Sequence, residues 1–258
     1  MNDLFHDYFS GNPGLELWAL GSRIHKGAID RRPYGVPCRF VASEDHPDIV
    51  KAYLSLNRRA FSGELALPGW VLTDLYLVPG VVGLLVAPLG DLQLRFDTPD
   101  LGDGRGIVAA YYASPSLRPG MFVGVSLISA VPGLRAGPRI KVLTLRMYRA
   151  NSVRGVSSWD SKPIRAHSRL GPMQIVGSTP GPHERAARSF VYQTSLIDEE
   201  VLKAALTGSL DVPVLERPSV TDLDALGSLL ARAEAGERLV IAPPGVDSEG
   251  QVCIASPH

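Results

Sequence analysis

Ile49, Val50, Tyr53, Leu54, Asn57, Ala60 and Phe61 recur at i, i+1, i+4, i+5, i+8, i+11 and i+12. That spacing predicts an amphipathic helix over residues 47–61. Asp45 or Ser43 is placed to cap it, Asp48 favours its first turn, and Gly63 stands just past its end. Residues 37–42 read as the strand that feeds it. Two apolar, β-branched runs follow, 70–77 and 81–87, parted by Val78, Pro79 and Gly80 as in a hairpin. A polar, glycine-rich loop over 91–105 precedes further strands at 107–112 and 121–129, giving four consecutive strands, mostly antiparallel. Residues 1–35 carry two short apolar patches, 4–9 and 15–24, broken by Gly11, Pro13 and Gly14. They read as an arm of one or two helices laid on the core.

The second half alternates in the same way. Residues 160–177 suit a short helix, a glycine stop at Gly171 and a buried strand, with Ser161 able to cap and Pro163 tolerated in the first turn. Residues 189–196 form one more strand, and Asp198 caps a helix through Leu206. Ser219 with Asp222 resembles a capping box for a helix running to Ala235, stopped by Gly236. Residues 239–242 add an edge strand before a tail rich in proline and glycine. Between the halves, Ile140, Val142, Leu143, Leu145 and Met147 fit period two almost as well as 3.6, so both readings stand at 139–150.

Composition narrows the function classes. The 258 residues are 45% hydrophobic and 20% charged, as in an ordinary globular protein. Lys plus Arg and Asp plus Glu both number 26, so no global field steers the chain to nucleic acid or to an anionic membrane. Acids stand near the N-terminus where a signal peptide carries bases, and no apolar run approaches the roughly 20 residues of a membrane helix. Cytoplasm is the expected compartment. Cys38 and Cys253 make neither a disulfide framework nor a metal cluster, and the histidines lack HxH, HxxxH or HExxH spacing, so no metal site is expected.

The stretch DSKPIRAHSRLGPMQIVG, residues 160–177, resembles the last helix and strand of GNAT-type N-acetyltransferases, with Asp160, Ile164, Arg165, Arg169, Leu170, Gly171, Ile175, Val176 and Gly177 matching or conservative. The strand-to-helix opening at residues 40–61 is also similar to how those proteins begin. The resemblance implies a mixed, mostly antiparallel α/β sheet with flanking helices over residues 36–196. Around it lie the N-terminal helical arm, 1–35, and a C-terminal helical extension, 197–258, packed on the same core. It also implies acyl transfer from acetyl-coenzyme A, or another acyl-coenzyme A, to a small-molecule or peptide amine.

In the GNAT family a VxPxxRGxGIG turn holds the pyrophosphate of coenzyme A on backbone N–H groups at a helix start. Here Pro132 and Arg135 match, Ala136, Pro138 and Ile140 stand at the glycine positions, and Gly137 is the one glycine available. The resemblance thus points to Arg135, Ala136, Gly137, Arg139, Ile140 and Lys141 as cofactor-binding. His167 falls where many members have the tyrosine that returns a proton to the departing thiolate, a task imidazole can perform near neutral pH. No glutamate lies on the strands for the general base. Asp74 is the acid they offer, beside Tyr111 and Tyr112. Two other functions fit the same residues. One is a GNAT-like domain without catalysis that binds a ligand or partner. The other is a Schiff-base decarboxylase similar to acetoacetate decarboxylase, with Lys141 activated by basic neighbours. The acceptor, the acyl group and the oligomeric state are not legible.

Overall fold

The structure is a computed structural model and describes residues 1–61, 66–67, 80–90, 92–179 and 189–256. The chain divides into two compact units, Met1–Ala150 and Asn151–His258. Both are mixed α/β, so the fold class expected from the sequence is the one observed.

The first unit carries α1 (Asn2–Ser10), β1 (Glu16–Gly21), β2 (Cys38–Ala42), α2 (Pro47–Ala60), β3 (Val81–Pro88), β4 (Arg105–Pro115), β5 (Met121–Ser129) and α3 (Ala136–Met147). Its strands lie in the order β2-β1-β3-β4-β5. The β1–β2 pair is parallel and the other pairings are antiparallel. Because side chains alternate across a strand, Val82, Leu84 and Val86 meet α2 through Ile49, Val50 and Tyr53 on one face. Gly83 points to the other face, where α3 lies so close that a β-carbon on Gly83 would fall on the Thr144 hydroxyl. Helix α3 buries Ile140, Lys141, Val142, Leu143, Thr144, Leu145 and Met147. A helix buried nearly all round shows little amphipathic period, which is why its sequence also read as a strand.

Residues 16–21 correct one expectation. They form β1, hydrogen-bonded between β2 and β3, and not a helix of an N-terminal arm. The arm is helical over α1 alone and through the short 3-10 turns Arg23–Gly27 and Pro33–Gly35. Helix α2 matches its predicted span to within one residue, although neither Asp45 nor Ser43 caps it. His46 holds the cap position without a side-chain bond, and Asp45 pairs with Arg23. The strand expected at 70–77 lies outside the described residues.

The second unit carries β6 (Ser152–Ser158), α4 (Ser161–Ser168), β7 (Met173–Ser178), β8 (Ser189–Ser195), α5 (Glu199–Thr207), α6 (Leu223–Glu234), β9 (Val240–Val246) and β10 (Val252–Ala255). The strand order is β6-β8-β7-β9-β10, antiparallel throughout. Trp159, Ile164, Met173, Phe190, Tyr192, Leu226 and Leu229 build its core. Residues 197–258 therefore add two strands as well as two helices. Strand β9, expected at an edge, pairs with β7 on one side and β10 on the other. Asp198 caps α5 by accepting from the Glu200 and Val201 amides at 3.0 and 3.1 Å. Helix α6 is capped three residues later than expected, with Asp222 accepting from the Ala225 amide at 3.0 Å. No helix of the described residues is long and apolar enough to cross a membrane.

Candidate functional site

Strand β5 delivers the chain to the start of α3, and two irregularities shape that delivery. Tyr112 pairs with Ser126 but Ala113 pairs with Gly124, so Val125 is the extra residue of a bulge. Gly124 is required beside it, because a β-carbon there would lie 2.5 Å from the Tyr111 hydroxyl. The chain then turns through residues 130–135, with Gly133 at φ +79 and Arg135 at φ +50. Arg135 is the N-cap of α3 in the left-handed region and is followed directly by helical residues. Successive residues of opposite hand turn their backbone N–H groups into a concavity that suits an anion.

The charges around this start are unusual for a helix. No acid stands in the first turn of α3, while Arg135 is exposed at the cap and Arg139 lies one turn in. Both guanidinium groups sit at the positive end of the helix dipole, an arrangement that attracts an anion. Pro138 is the third helical residue and contributes no amide, so the donors available there are those of Ala136, Gly137 and Arg139. Gly137 is not sterically compelled. An added β-carbon would meet Ser129 Cβ at 3.6 Å, an ordinary contact.

Helix α1 braces this turn. The Tyr8 hydroxyl donates to the Leu134 carbonyl at 3.1 Å, and the Arg139 guanidinium lies over the Tyr8 ring, 4.4 Å from its centroid. Arg139 also donates to the Arg135 carbonyl at 3.1 Å. Burial pushes the Tyr8 phenol up to about 12, against the opposing pull of Arg139, so it remains a neutral donor.

Of the residues assigned from the sequence, Arg135, Ala136, Gly137 and Arg139 are thus gathered at one helix start. Ile140 and Lys141 lie deeper in the helix. Both side chains are fully buried on α3. Lys141 Nζ lies 5.7 Å from the centroid of the Tyr111 ring, and burial lowers its amine to about 7. Such a pKa suits a Schiff-base nucleophile, and Lys141 is completely buried. Asp74 lies outside the described residues. Tyr112 is buried, and burial raises its phenol.

His167 belongs to the second unit and is set there by three contacts of α4. Ile164 is fully buried beneath the helix, Arg165 Nε donates to the Val246 carbonyl at 2.9 Å, and Arg165 also bonds the Asp247 carbonyl. The half-buried imidazole rests on Tyr192, ring centroids 5.0 Å apart. Gly155 makes room for that tyrosine, since a β-carbon there would lie 2.7 Å from its hydroxyl. Trp159 stacks on Phe190 at 4.0 Å and continues the aromatic row. His167 is therefore a held side chain and not a freely solvated one.

The bulge at Val125 and the Tyr8 brace were not anticipated. Gly124 was the one local hint of the former, and a contact spanning 126 positions leaves no local pattern for the latter.

No family model matches the chain, and neither does any curated protein sequence. Solved structures do. The chain is similar to Ard1 from Thermoplasma volcanium at 11% identity, over 59% of this chain and 94% of that one, with a TM-score of 0.43. It is similar to an aminoglycoside 6'-acetyltransferase type Ii at 12% identity, over 60% and 94%, TM-score 0.42. An acetyltransferase of the GNAT family from Desulfovibrio desulfuricans matches at 12% identity, over 58% and 93%, TM-score 0.39. GNAT acetyltransferases, the class that residues 160–177 resemble, are thus among the solved structures similar to this chain.

Proposed function

We propose that the chain is a divergent acyl-coenzyme A-dependent N-acyltransferase that passes an acyl group directly to an amine. The observation that carries this reading is the start of α3, where two arginines and no acid meet the positive end of a helix dipole behind a left-handed cap. A helix start so charged is self-repelling until an anion joins it, and a pyrophosphate supplies that charge. The amides of Ala136 and Gly137 with the Arg135 guanidinium are its proposed partners. His167 is proposed to return the proton to the departing thiolate, and the acceptor to be a small-molecule or peptide amine.

Thermal unfolding with excess acetyl-coenzyme A, and separately with free coenzyme A, tests the cofactor. At about 100 times the dissociation constant a ligand adds roughly 2.7 kcal/mol, a rise of about 5 to 10 °C for a chain of this size. Arg135→Gln is expected to remove most of that rise. No rise with millimolar ligand would sink the reading. Where an amine screen yields a turnover assay, His167→Phe should lower kcat by about a hundredfold and leave the thermal shift intact. Unchanged turnover would remove His167 from the proton transfer.

A second reading, a ligand-binding or interaction domain without catalysis, has its own support. Pro138 withholds an amide from the α3 start, and Arg139 is already engaged with Tyr8 and the Arg135 carbonyl. A flat thermal titration with both coenzyme A species is the result it expects.

A further inference from the structure

A cleft of about 910 Å³ opens in the first unit between α1 and the β1–β2 pair. It falls in the range of roughly 300 to 1,000 Å³ typical of small-molecule sites. Leu15, Leu17, Tyr34 and Val36 form an apolar floor, each nearly excluded from solvent, and half-buried Phe9 lines it from α1. None of these residues belongs to the turn before α3.

The polar groups at this cleft are not equivalent. Glu16 is committed, pairing with Arg105 at 3.0 Å and accepting from Trp18 Nε1 at 2.7 Å. Arg39 lies over the Trp18 ring, 4.4 Å from its centroid. Asp3 stands in the first turn of α1, where a negative charge suits the helix dipole. Arg31 is different. Its side chain forms no ion pair among the described residues, and it is exposed at the cleft. Its main-chain carbonyl accepts from the Cys38 amide at 2.9 Å, which fixes its backbone at the end of β2. Its charge is felt by the Cys38 thiol on the cleft floor, against the smaller opposing effect of Asp30. An uncommitted guanidinium over an apolar floor is a receptor for a carboxylate attached to an apolar body, since charge-assisted bonds of this kind are about twice as strong as neutral ones.

We propose that this cleft is a binding site for a small aryl carboxylate, its ring on the floor beside Phe9 and its carboxylate on Arg31. The site is separate from the α3 start, and its test is independent of any acyl transfer.

Isothermal titration of the full chain with naphthaleneacetate and with uncharged naphthaleneacetamide reads the two contributions apart. Naphthaleneacetate is expected to bind saturably, one per chain, and about tenfold more tightly than the amide. Arg31→Gln should bring the carboxylate down to the affinity of the amide and leave the amide unchanged. Ser10→Trp, at an exposed cleft-lining position on α1, should abolish both, with thermal unfolding of each variant verifying that it folds. Lack of saturable naphthaleneacetate binding overturns the proposal, as does an Arg31→Gln effect equal on both probes or a Ser10→Trp variant that binds like the parent.

Discussion

Gly83→Ala is expected to lower stability toward urea by about 3 kcal/mol or more, near the limit of what single substitutions do. The β-carbon it adds would land on the Thr144 hydroxyl, with Thr144 Cβ 3.0 Å and Ile140 Cδ1 3.1 Å away. None of these can step aside cheaply. The Thr144 hydroxyl is bonded to the Ile140 carbonyl at 2.7 Å, and turning the side chain would put its methyl group nearer the same space. Helix α3 would have to lift from β3 along its length, and its buried residues would lose contact with the sheet. The double variant Gly83→Ala/Thr144→Ala separates this cause from a general intolerance of the strand. Thr144→Ala alone should cost about 1 kcal/mol, and the pair should recover most of the loss, a coupling of about 1 to 3 kcal/mol. If Gly83→Ala unfolds at the parent's urea concentration, the close approach of α3 to β3 is wrong. Because α3 presents the proposed phosphate-binding turn, the same variant should also weaken coenzyme A binding.

That contact was not legible beforehand, and the reason is physical. A glycine within an apolar strand signals either a bulge or a close backbone approach, and only the partner element tells which. The elements that were legible are those whose signals are local. The 3.6-residue period of α2 and the Asp198 cap of α5 both arise within a few residues of where they act, whereas α4 ends at Ser168 with Arg169 as its cap, two residues before the glycine expected to stop it. What was missed depends on distant pairing. Strand β1 is covered on both faces, and such strands read as continuous apolar runs, open to confusion with a helix. Its partner in parallel pairing, Cys38–Ala42, follows only after two 3-10 turns. Strand β9 contains Pro243 and Pro244, which argues for an edge or a tail. The prolines are accommodated where the β9–β10 register slips between Ile241 and Val246, so the ladder does not require their missing amides. Arg135 and His167 were singled out through resemblance alone. The bulge at Val125 and the bracing of the turn by Tyr8 were not legible, since both are relations between strands or helices far apart in sequence.

Lys141→Met should raise stability at neutral pH, and its size should depend on pH in a way that identifies the cause. Burial lowers the amine from 10.5 to about 7, so the unfolded chain binds a proton that the folded chain refuses between those values. Folding is therefore favoured as pH rises through this interval and penalised as it falls. The full penalty, present below pH 7, is on the order of 5 kcal/mol. Between pH 7 and pH 9 the parent should gain roughly 2 kcal/mol of stability, and Lys141→Met, similar in volume, should show no such gain. The comparison stops near pH 9 because the Cys38 thiol then acts in the opposite direction. Burial raises it from 9.0 to about 12, so above pH 9 the unfolded chain loses that proton first and stability declines. Urea unfolding of parent and variant at pH 7, 8 and 9 checks the slope. A Lys141→Met variant that is less stable by the same amount at each pH would mean that the amine is charged and paired in the core, and the low pKa would be refuted. The variant also bears on function. The proposed acyl transfer, with the cofactor held at Arg135, Ala136 and Gly137, does not use the Lys141 amine, so coenzyme A binding should survive the substitution, whereas a Schiff-base enzyme would lose all turnover.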